Sequence, residues 1–444
     1  MIRLTLPLVL YILPAVTVLT LLVPQKRKPL VLALGGLACV WLTGGSPALI
    51  LLMCMTVSAW LVLRLLPVQQ GAQGRRIKLR MYAGICLQFL FPVLGRLFLP
   101  GRAALLPLLI LAMQNTEYIC DRANKRVSIP GLFPFFCYSA EMPRLFAGPP
   151  LQADAAATMW QQRKQTAENL GSGAALYIRG LFQVTCLALP MQQLHRALSE
   201  LIPEKTLLDE WLTVMVYYFM LYFSLKGAAQ LGQGIAQMTG LIYPDSFDSP
   251  ILAGTHYGFW TRFMVPVSAW AKRVLFPQHD ADTGSYFARM LLIFCGIGLT
   301  VGSGICGLLW GICCALLMTA EHLLNPKWIA QIPIAARRVI VAVTLLIFLG
   351  MLRCGSLQQL VTFYSGFFGE RGLAFSNTTG YLIKNYWFLI LICIAALFPV
   401  RKTVTKHMEK NIARRIAAEI LTVVLEFGML AMSMAELMSS YLRG

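Results

Sequence analysis

Charge is what this chain has least of. Asp, Glu, Lys and Arg make up 13% of its 444 residues, about half the share usual in soluble proteins, which leaves no room for a large soluble domain. Acidic residues are the scarcer sign, 19 against 38 basic ones. Histidine is scarcer again, with five in all, so chemistry that needs an imidazole has few places to reside. The twelve cysteines include no CxxC pair matched by a second pair or by nearby histidine, which argues against a zinc site. Cys295, Cys306, Cys313 and Cys314 lie inside apolar runs, where cysteine behaves as a small hydrophobe. Internal repeats and low-complexity linkers are missing too, so one membrane domain over 1–444 is the simplest division.

What the chain has in abundance is apolar length. Hydrophobic residues make up 57% and the mean hydropathy is +0.66. Candidate spans lie near 4–23, 29–43, 47–66, 81–99, 103–114, 173–192, 208–226, 287–300, 303–323, 338–353, 381–399 and 416–438. Several fall short of the roughly 20 residues a full crossing needs, so some should be tilted or re-entrant. The expected class is an all-α polytopic membrane protein with about ten to twelve transmembrane or re-entrant helices. No small-residue cleavage site follows the run Leu4 to Val23, which therefore reads as a first membrane helix rather than a cleaved signal.

The basic clusters alternate between spans. Lys26, Arg27 and Lys28 follow the first, an uncharged GGSP turn the second, and Arg75, Arg76, Lys78 and Arg80 the third. The positive-inside rule makes those clusters cytoplasmic and puts the N-terminus outside. Lys327, Arg337 and Arg338, and later Arg401, Lys402, Lys406, Lys410, Arg414 and Arg415, read as cytoplasmic too. The basic excess thus belongs to loops that face anionic headgroups. The expected partner is a lipid bilayer, and nucleic acid is not expected.

Polar residues inside such a body are the functional candidates, because hydrocarbon penalises them. Glu117 and Asp121 sit four apart at the end of a short span, and read as a solvated helix end balanced by Arg122. Glu141 and Arg144 lie three apart, on one helical face, ahead of a Gly-Pro-Pro break that could line a cavity. Lys226 interrupts an apolar run, where a snorkelling role is the plain alternative to a functional one. Arg262, between Trp260 and Phe263, could hold an acidic headgroup or carrier phosphate, or equally pair with Asp245 or Asp248. His195 and His407 fall in polar stretches and read as surface residues. His279 belongs to a loop with Asp280 and Asp282. His322 ends a helix beside Glu321, and His256 precedes the Trp260–Trp270 segment. None sits mid-span.

Several blocks resemble one family in order. YICDRANK is similar to an early Tyr-x-x-Asp segment through Tyr118 and Asp121, and MPRLFAGPP to a Phe-Pro-Gln-Leu-x-Ala-Gly-Pro block, with Arg144 in place of Gln. YFSLKGAAQLGQG keeps Tyr222, Phe223, Gly227 and Gly234 of a further block, with Ser224 and Gln230 where that block has Asp. SFDSPIL, FWTRFMVPVSAW and LTVGSGICGLLWG resemble Asn-Phe-Asn-x-Pro-Tyr-Leu, Phe-Trp-x-Arg-Trp-His-x-x-Leu-Ser-x-Trp and Leu-Trp-His-Gly-x-Gly-x-x-x-x-x-Trp-Gly. A last stretch is similar through Arg353, Ser356 and Leu357. The family is that of the membrane-bound O-acyltransferases, in the branch that modifies bacterial cell-surface polymers such as alginate and teichoic acid.

The resemblance runs from about 113 to 369, leaving N-terminal helices in 1–112 and C-terminal helices in 370–444. It implies helices around a central tunnel, in the bacterial cytoplasmic (inner) membrane. An acyl donor, acyl carrier protein or acyl-CoA, would meet a hydroxyl acceptor there, with no bound cofactor and no metal. Envelope-modification proteins are implied as partners. The resemblance implies that the histidine of Trp-His-Gly activates the hydroxyl and that the earlier one supports it. Here their positions hold Met264 and Val301, and neither side chain can take a proton as histidine does. His256 and Glu321 are the candidate substitutes. Glu141, Arg144, Lys226, Trp260, Arg262, Thr300, Ser303 and Trp310 are the candidate tunnel residues. Three readings follow: an envelope acyltransferase with a substitute base, a non-catalytic relative serving as scaffold or conduit beside a separate transferase, and a carrier using Lys226 and Glu141.

Overall fold

A computed structural model describes residues 12–66, 74–99, 105–124, 126–147, 152–200, 205–276, 282–302, 304–324, 326–370, 372, 374–399 and 412–442. Among them every regular element is helical. The early helices are α1 (Leu13–Leu22), α2 (Lys28–Leu65), α3 (Gly74–Phe98) and α4 (Leu105–Ala123). Three short helices follow: α5 (Leu132–Ser139), α6 (Met142–Ala147) and α7 (Ala153–Gln162). The middle of the chain forms α8 (Ala167–Phe182), which runs through a π-helical turn into α9 (Leu189–Glu200), then α10 (Leu207–Met238), α11 (His256–Phe263) and α12 (Val265–Leu275). The last part comprises α13 (Thr283–Val301), α14 (Gly304–Leu323), α15 (Pro326–Gln331), α16 (Ile334–Arg353), α17 (Leu357–Phe367), α18 (Asn377–Ala396) and α19 (Ile412–Leu442).

Nine of the described helical stretches are long and apolar enough to cross a membrane, so the chain is a polytopic membrane protein. The second and third expected spans are fused into α2. That helix bends at Gly45, whose φ of +67° departs from helical geometry, two residues before Pro47. Its arms, 28–44 and 46–65, are each about 25–30 Å long at 1.5 Å per residue, the thickness of a hydrocarbon core. The GGSP segment therefore serves as a sharp break at Gly45 between two helical arms, with no longer loop between them.

Helix starts follow local chemistry. Thr206 and Asp209 form a reciprocal capping box at α10, Thr255 caps α11, and Asp282 caps α13. Such side chains satisfy the amides that a helix leaves open at its first turn. α10 is the central element, with 67% of its apolar window buried against 11% for α16, α18 and α19, which form the rim.

Glycine sets the closest approaches. A Cβ on Gly234 would lie 2.6 Å from the Tyr177 amide nitrogen, and one on Gly180 would lie 2.7 Å from the Gly227 carbonyl, so α8 and α10 meet backbone to backbone. α13 and α14 form an antiparallel hairpin on the same principle, with Gly298 and Gly307 each against the other's carbonyl. In lipid, where apolar side chains gain little by leaving the solvent, such contacts are a main source of helix association.

Gly298→Ala should destabilise the protein by about 1–3 kcal/mol, the usual cost of forcing extra volume into a packed seam. Gly296→Ala, two residues away on the opposite face of α13 with nothing within 4 Å of its would-be Cβ, should be neutral or stabilising by up to about 1 kcal/mol through helix propensity. Thermal unfolding of the detergent-purified protein compares the two, and equal effects would refute the close-packed seam.

Candidate functional site

The segments singled out in the sequence meet where α11 packs against the α13–α14 hairpin. Trp260 on α11 makes edge-to-face contacts with Phe294 of α13 and Trp310 of α14, with ring centroids 5.3 and 5.9 Å apart. Phe263 adds a further ring at 5.7 Å from Trp260 and itself contacts Phe247 and Tyr222. Such pairs favour tilted, offset geometries and hold their elements firmly. The rings thus bring together three of the blocks read from the sequence: SFDSPIL, FWTRFMVPVSAW and the glycine-rich hairpin.

Met264 occupies the break between α11 and α12, half-buried, with φ −144° and ψ 82°. Val301 is the last residue of α13 and is 37% exposed, which leaves it at the hairpin tip rather than enclosed. Thr300 is buried, and its hydroxyl donates to the carbonyls of Gly296 and Ile297 at 3.1 and 2.9 Å. Ser303, His279, Asp280 and His407 lie outside the described residues. The Arg262 side chain is exposed and makes no ion pair with Asp245 or Asp248. The tie between these segments is instead main-chain, with the Asp248 amide donating to the Arg262 carbonyl at 3.0 Å.

His256 and Glu321, 65 positions apart, come into direct contact. Glu321 Oε2 lies 2.8 Å from His256 Nδ1 and accepts from the His256 amide at 2.7 Å, while Oε1 accepts from the Tyr257 amide at 2.9 Å. The carboxylate therefore closes the first turn of α11 from a neighbouring helix, where the helix dipole favours negative charge. An ionised carboxylate can only accept, so the proton of the contact sits on Nδ1 and the neutral ring keeps an acceptor lone pair on Nε2. Nε2 is buried and has no hydrogen-bond partner among the described residues. An imidazole held at one nitrogen by a carboxylate and open at the other is equipped for proton transfer. The pair lies far from Val301: α14 runs about 25 Å from its start at Gly304 to Glu321 at 1.5 Å per residue. His322, beside Glu321, is exposed and stacks on Tyr286 at 4.1 Å.

Glu141 and Arg144 form a sealed cluster, each side chain 1% exposed, with Arg144 Nε 2.7 Å from Glu141 Oε2. Tyr243 donates to Glu141 Oε1 at 2.8 Å, and the Arg144 guanidinium lies over the Tyr138 ring at 4.4 Å. Burial opposes charge on Arg144, but Glu141, Tyr243 and Tyr138 outweigh it and raise its pKa above the ordinary arginine value. For Tyr243, burial and then the Glu141 charge push the phenol well up. The cluster ties α6 to the segment before α11. Lys226 sits midway along α10, half-buried, with its ammonium 5.2 Å from the Tyr222 ring centroid.

Glu117 and Asp121 correct the expectation of a solvated helix end. Both are 2% exposed. Glu117 pairs with Arg273 at 2.6 Å, and Asp121 accepts from the Ala153 amide at 2.9 Å and faces Arg126 at 3.5 Å. Arg122 instead donates to the Val127 carbonyl. The reason is docking: α12 lays Trp270 and Arg273, one turn apart, onto Thr116 and Glu117 of α4, with the indole donating to the Thr116 hydroxyl at 3.2 Å. A buried amide chain on the same helix went unnoticed in the sequence. Asn115 donates to Gln88 at 3.0 Å and accepts from Ser139 at 3.0 Å. The run QNTE within an apolar helix was its available signal. His195 is half-buried against Tyr217, ring centroids 5.1 Å apart, rather than a surface residue.

This arrangement of blocks has relatives among proteins of the membrane-bound O-acyltransferase type that act as O-acetyltransferases. The chain is 24% identical over 230 residues to the probable alginate O-acetylase AlgI of Pseudomonas aeruginosa, covering 49% of this chain and 44% of that protein. It is 24% identical over 205 residues to the probable alginate O-acetylase AlgI of Azotobacter vinelandii, covering 45% and 40%. To the peptidoglycan O-acetyltransferase of Helicobacter pylori it is 20% identical over 205 residues, covering 45% and 39%. The chain thus spans less than half the length of these relatives. No family model matches it.

Arg144→Gln should destabilise the protein by about 3–5 kcal/mol, because it leaves the Glu141 carboxylate buried without its cation. Glu141→Gln combined with Arg144→Gln should recover most of that loss. Thermal unfolding of both variants beside the unmodified protein in detergent tests this, and an undiminished deficit in the double variant would count against a coupled pair.

Proposed function

We propose that the protein takes part in acyl transfer to a hydroxyl of a bacterial envelope polymer, with His256 as the base in place of the family histidines. The acetyltransferases of alginate and peptidoglycan among its relatives support the substrate class. The single observation that carries the choice of base is the His256–Glu321 contact, which orients the ring and leaves Nε2 free. Met264 and Val301, at the family positions, have no group able to do the same work.

In this reading His256 Nε2 takes the proton of an acceptor hydroxyl as its oxygen forms a bond to the acyl carbonyl carbon. Glu321 stabilises the resulting imidazolium and acts as a positioning residue. Collapse of the tetrahedral adduct breaks the acyl–sulfur bond of a thioester donor, and the imidazolium returns its proton to the leaving sulfur. The acyl group would be acetyl, D-alanyl or similar, carried by an acyl carrier protein or coenzyme A. The chain would lie in the inner membrane with its N-terminus outside. By the same charge pattern, the Glu321 end of α14 faces the cytoplasm, on the donor's side.

A second reading, a scaffold or conduit for an acyl carrier, lipid or polymer beside a separate transferase, draws on a different observation. Trp260, Phe263, Phe294 and Trp310 pack α11 against the hairpin with no ionisable group among them, and Val301 stands at the exposed hairpin tip.

Purified protein with a labelled acyl donor and polysaccharide or lipid acceptors separates the two. His256→Gln should lower turnover by about 10²–10⁴-fold, the usual contribution of a general base, while leaving the fold intact. Glu321→Gln should shift the pH–rate profile, an effect that mere loss of helix capping would not produce. Absence of turnover in the unmodified chain, with cellular polymer acylation retained by both variants, would favour the conduit.

A further inference from the structure

Where α2 begins, two cations are buried side by side without an acid. Lys28, the first residue of α2, is 5% exposed, and Arg163, just after α7, is 7% exposed. The two segments interlock, Lys28 reaching Gln165 two residues beyond Arg163 and Arg163 reaching Gln25 three residues before Lys28, and Lys28 feels the Arg163 charge. Neither enters an ion pair among the described residues. Glu141 is the acid felt by Arg163, but its oxygens are taken up by Arg144 and Tyr243. Burial lowers the Arg163 pKa from its ordinary value, and Glu141 offsets only part of that.

Both cations are capped by neutral amides from the surface. Lys28 Nζ donates to Gln165 Oε1 at 2.6 Å, and Arg163 Nη2 donates to Gln25 Oε1 at 3.0 Å. Gln25 and Gln165 are exposed. Arg163 Nε and Nη1 are buried with no acceptor, and the guanidinium rests against the Trp160 ring at 5.0 Å. Gly240, at φ +85°, makes this possible, since a Cβ there would lie 2.8 Å from Arg163 Cγ and 2.7 Å from the Lys164 carbonyl. Lys26, Arg27 and Lys164 stand exposed around the pair.

Buried donors without acceptors are costly, and a guanidinium fork matches a tetrahedral oxyanion. We propose that Lys28 and Arg163 form a binding site for a phosphate group, over which Gln25 and Gln165 close in its absence. The amide oxygens stand where phosphate oxygens would, and turning two exposed glutamines outward opens the site. The phosphate would belong either to an anionic lipid headgroup or to a soluble phosphate-bearing molecule. The inference is independent of the acyl-transfer reading.

Binding is measured on the full chain by ligand-induced thermal shift, in nanodiscs of phosphatidylcholine with or without phosphatidylglycerol and in zwitterionic detergent with inorganic phosphate or pyrophosphate. A shift with phosphatidylglycerol alone identifies the lipid source, and one with the free anions identifies the soluble source. Arg163→Lys, which keeps the charge but removes the fork, should weaken binding about tenfold or more. Gln165→Ala, which removes a competing acceptor, should tighten it. Lys26→Gln with Arg27→Gln should change it less than threefold. Absence of any shift in the unmodified protein would overturn the proposal. So would equal losses in the Arg163→Lys and Lys26→Gln/Arg27→Gln proteins, or weaker binding on Gln165→Ala.

Discussion

A hydrocarbon medium offers no water to a polar group, and this one constraint organises the structure. Each charge drawn into the body must find its partner there or pay the cost of desolvation. The partners come from distant parts of the chain: Glu117 with Arg273, Glu210 with Arg353, Arg179 with Glu426, and His256 with Glu321. Each pair removes freedom between two segments that the loops leave loosely related. Exposed ion pairs contribute little. These are largely buried, and separating one would strand a charge. Their value therefore lies in fixing which helix meets which, while glycine seams set how closely they meet.

The same constraint bears on Met264 and Val301. They carry no ionisable group and need no partner. Trp260, Phe263, Phe294 and Trp310 hold α11 against the hairpin through area and ring geometry, and Gly298 and Gly307 hold the hairpin itself. Packing at this locus is thereby uncoupled from proton chemistry. The residues that sustain the shape are different from those that would perform catalysis.

Spans were legible because apolar length is a local property. The runs at 287–300, 303–323, 338–353 and 381–399 correspond to α13, α14, α16 and α18 within a few residues. The Glu141–Arg144 contact was legible for the same reason, since three positions on a helix make one face. Its third member, Tyr243, was not, because it arrives from about a hundred positions away. Glu117 and Asp121 misled for a related cause: they meet Arg273 on α12 and the Ala153 amide at the start of α7, and nothing local announces that docking. His256 and Glu321 were each visible as candidates, yet their contact depends on α11 folding back against the far end of α14. The fusion of two spans into α2 turned on one backbone angle at Gly45, which composition does not encode.

Glu321 has a structural task that would suffice to explain its presence, since it accepts from two open amides at the start of α11. That task uses only the backbone of residue 256, so it would be met equally with alanine there. The imidazole adds a third contact through Nδ1 and at the same time buries a second nitrogen without a partner. A polar atom left unsatisfied in a low-dielectric setting is a net cost that a cap does not recover. Capping therefore accounts for the carboxylate but not for the ring. In the proposed reaction that unpartnered Nε2 would be the atom that accepts the proton.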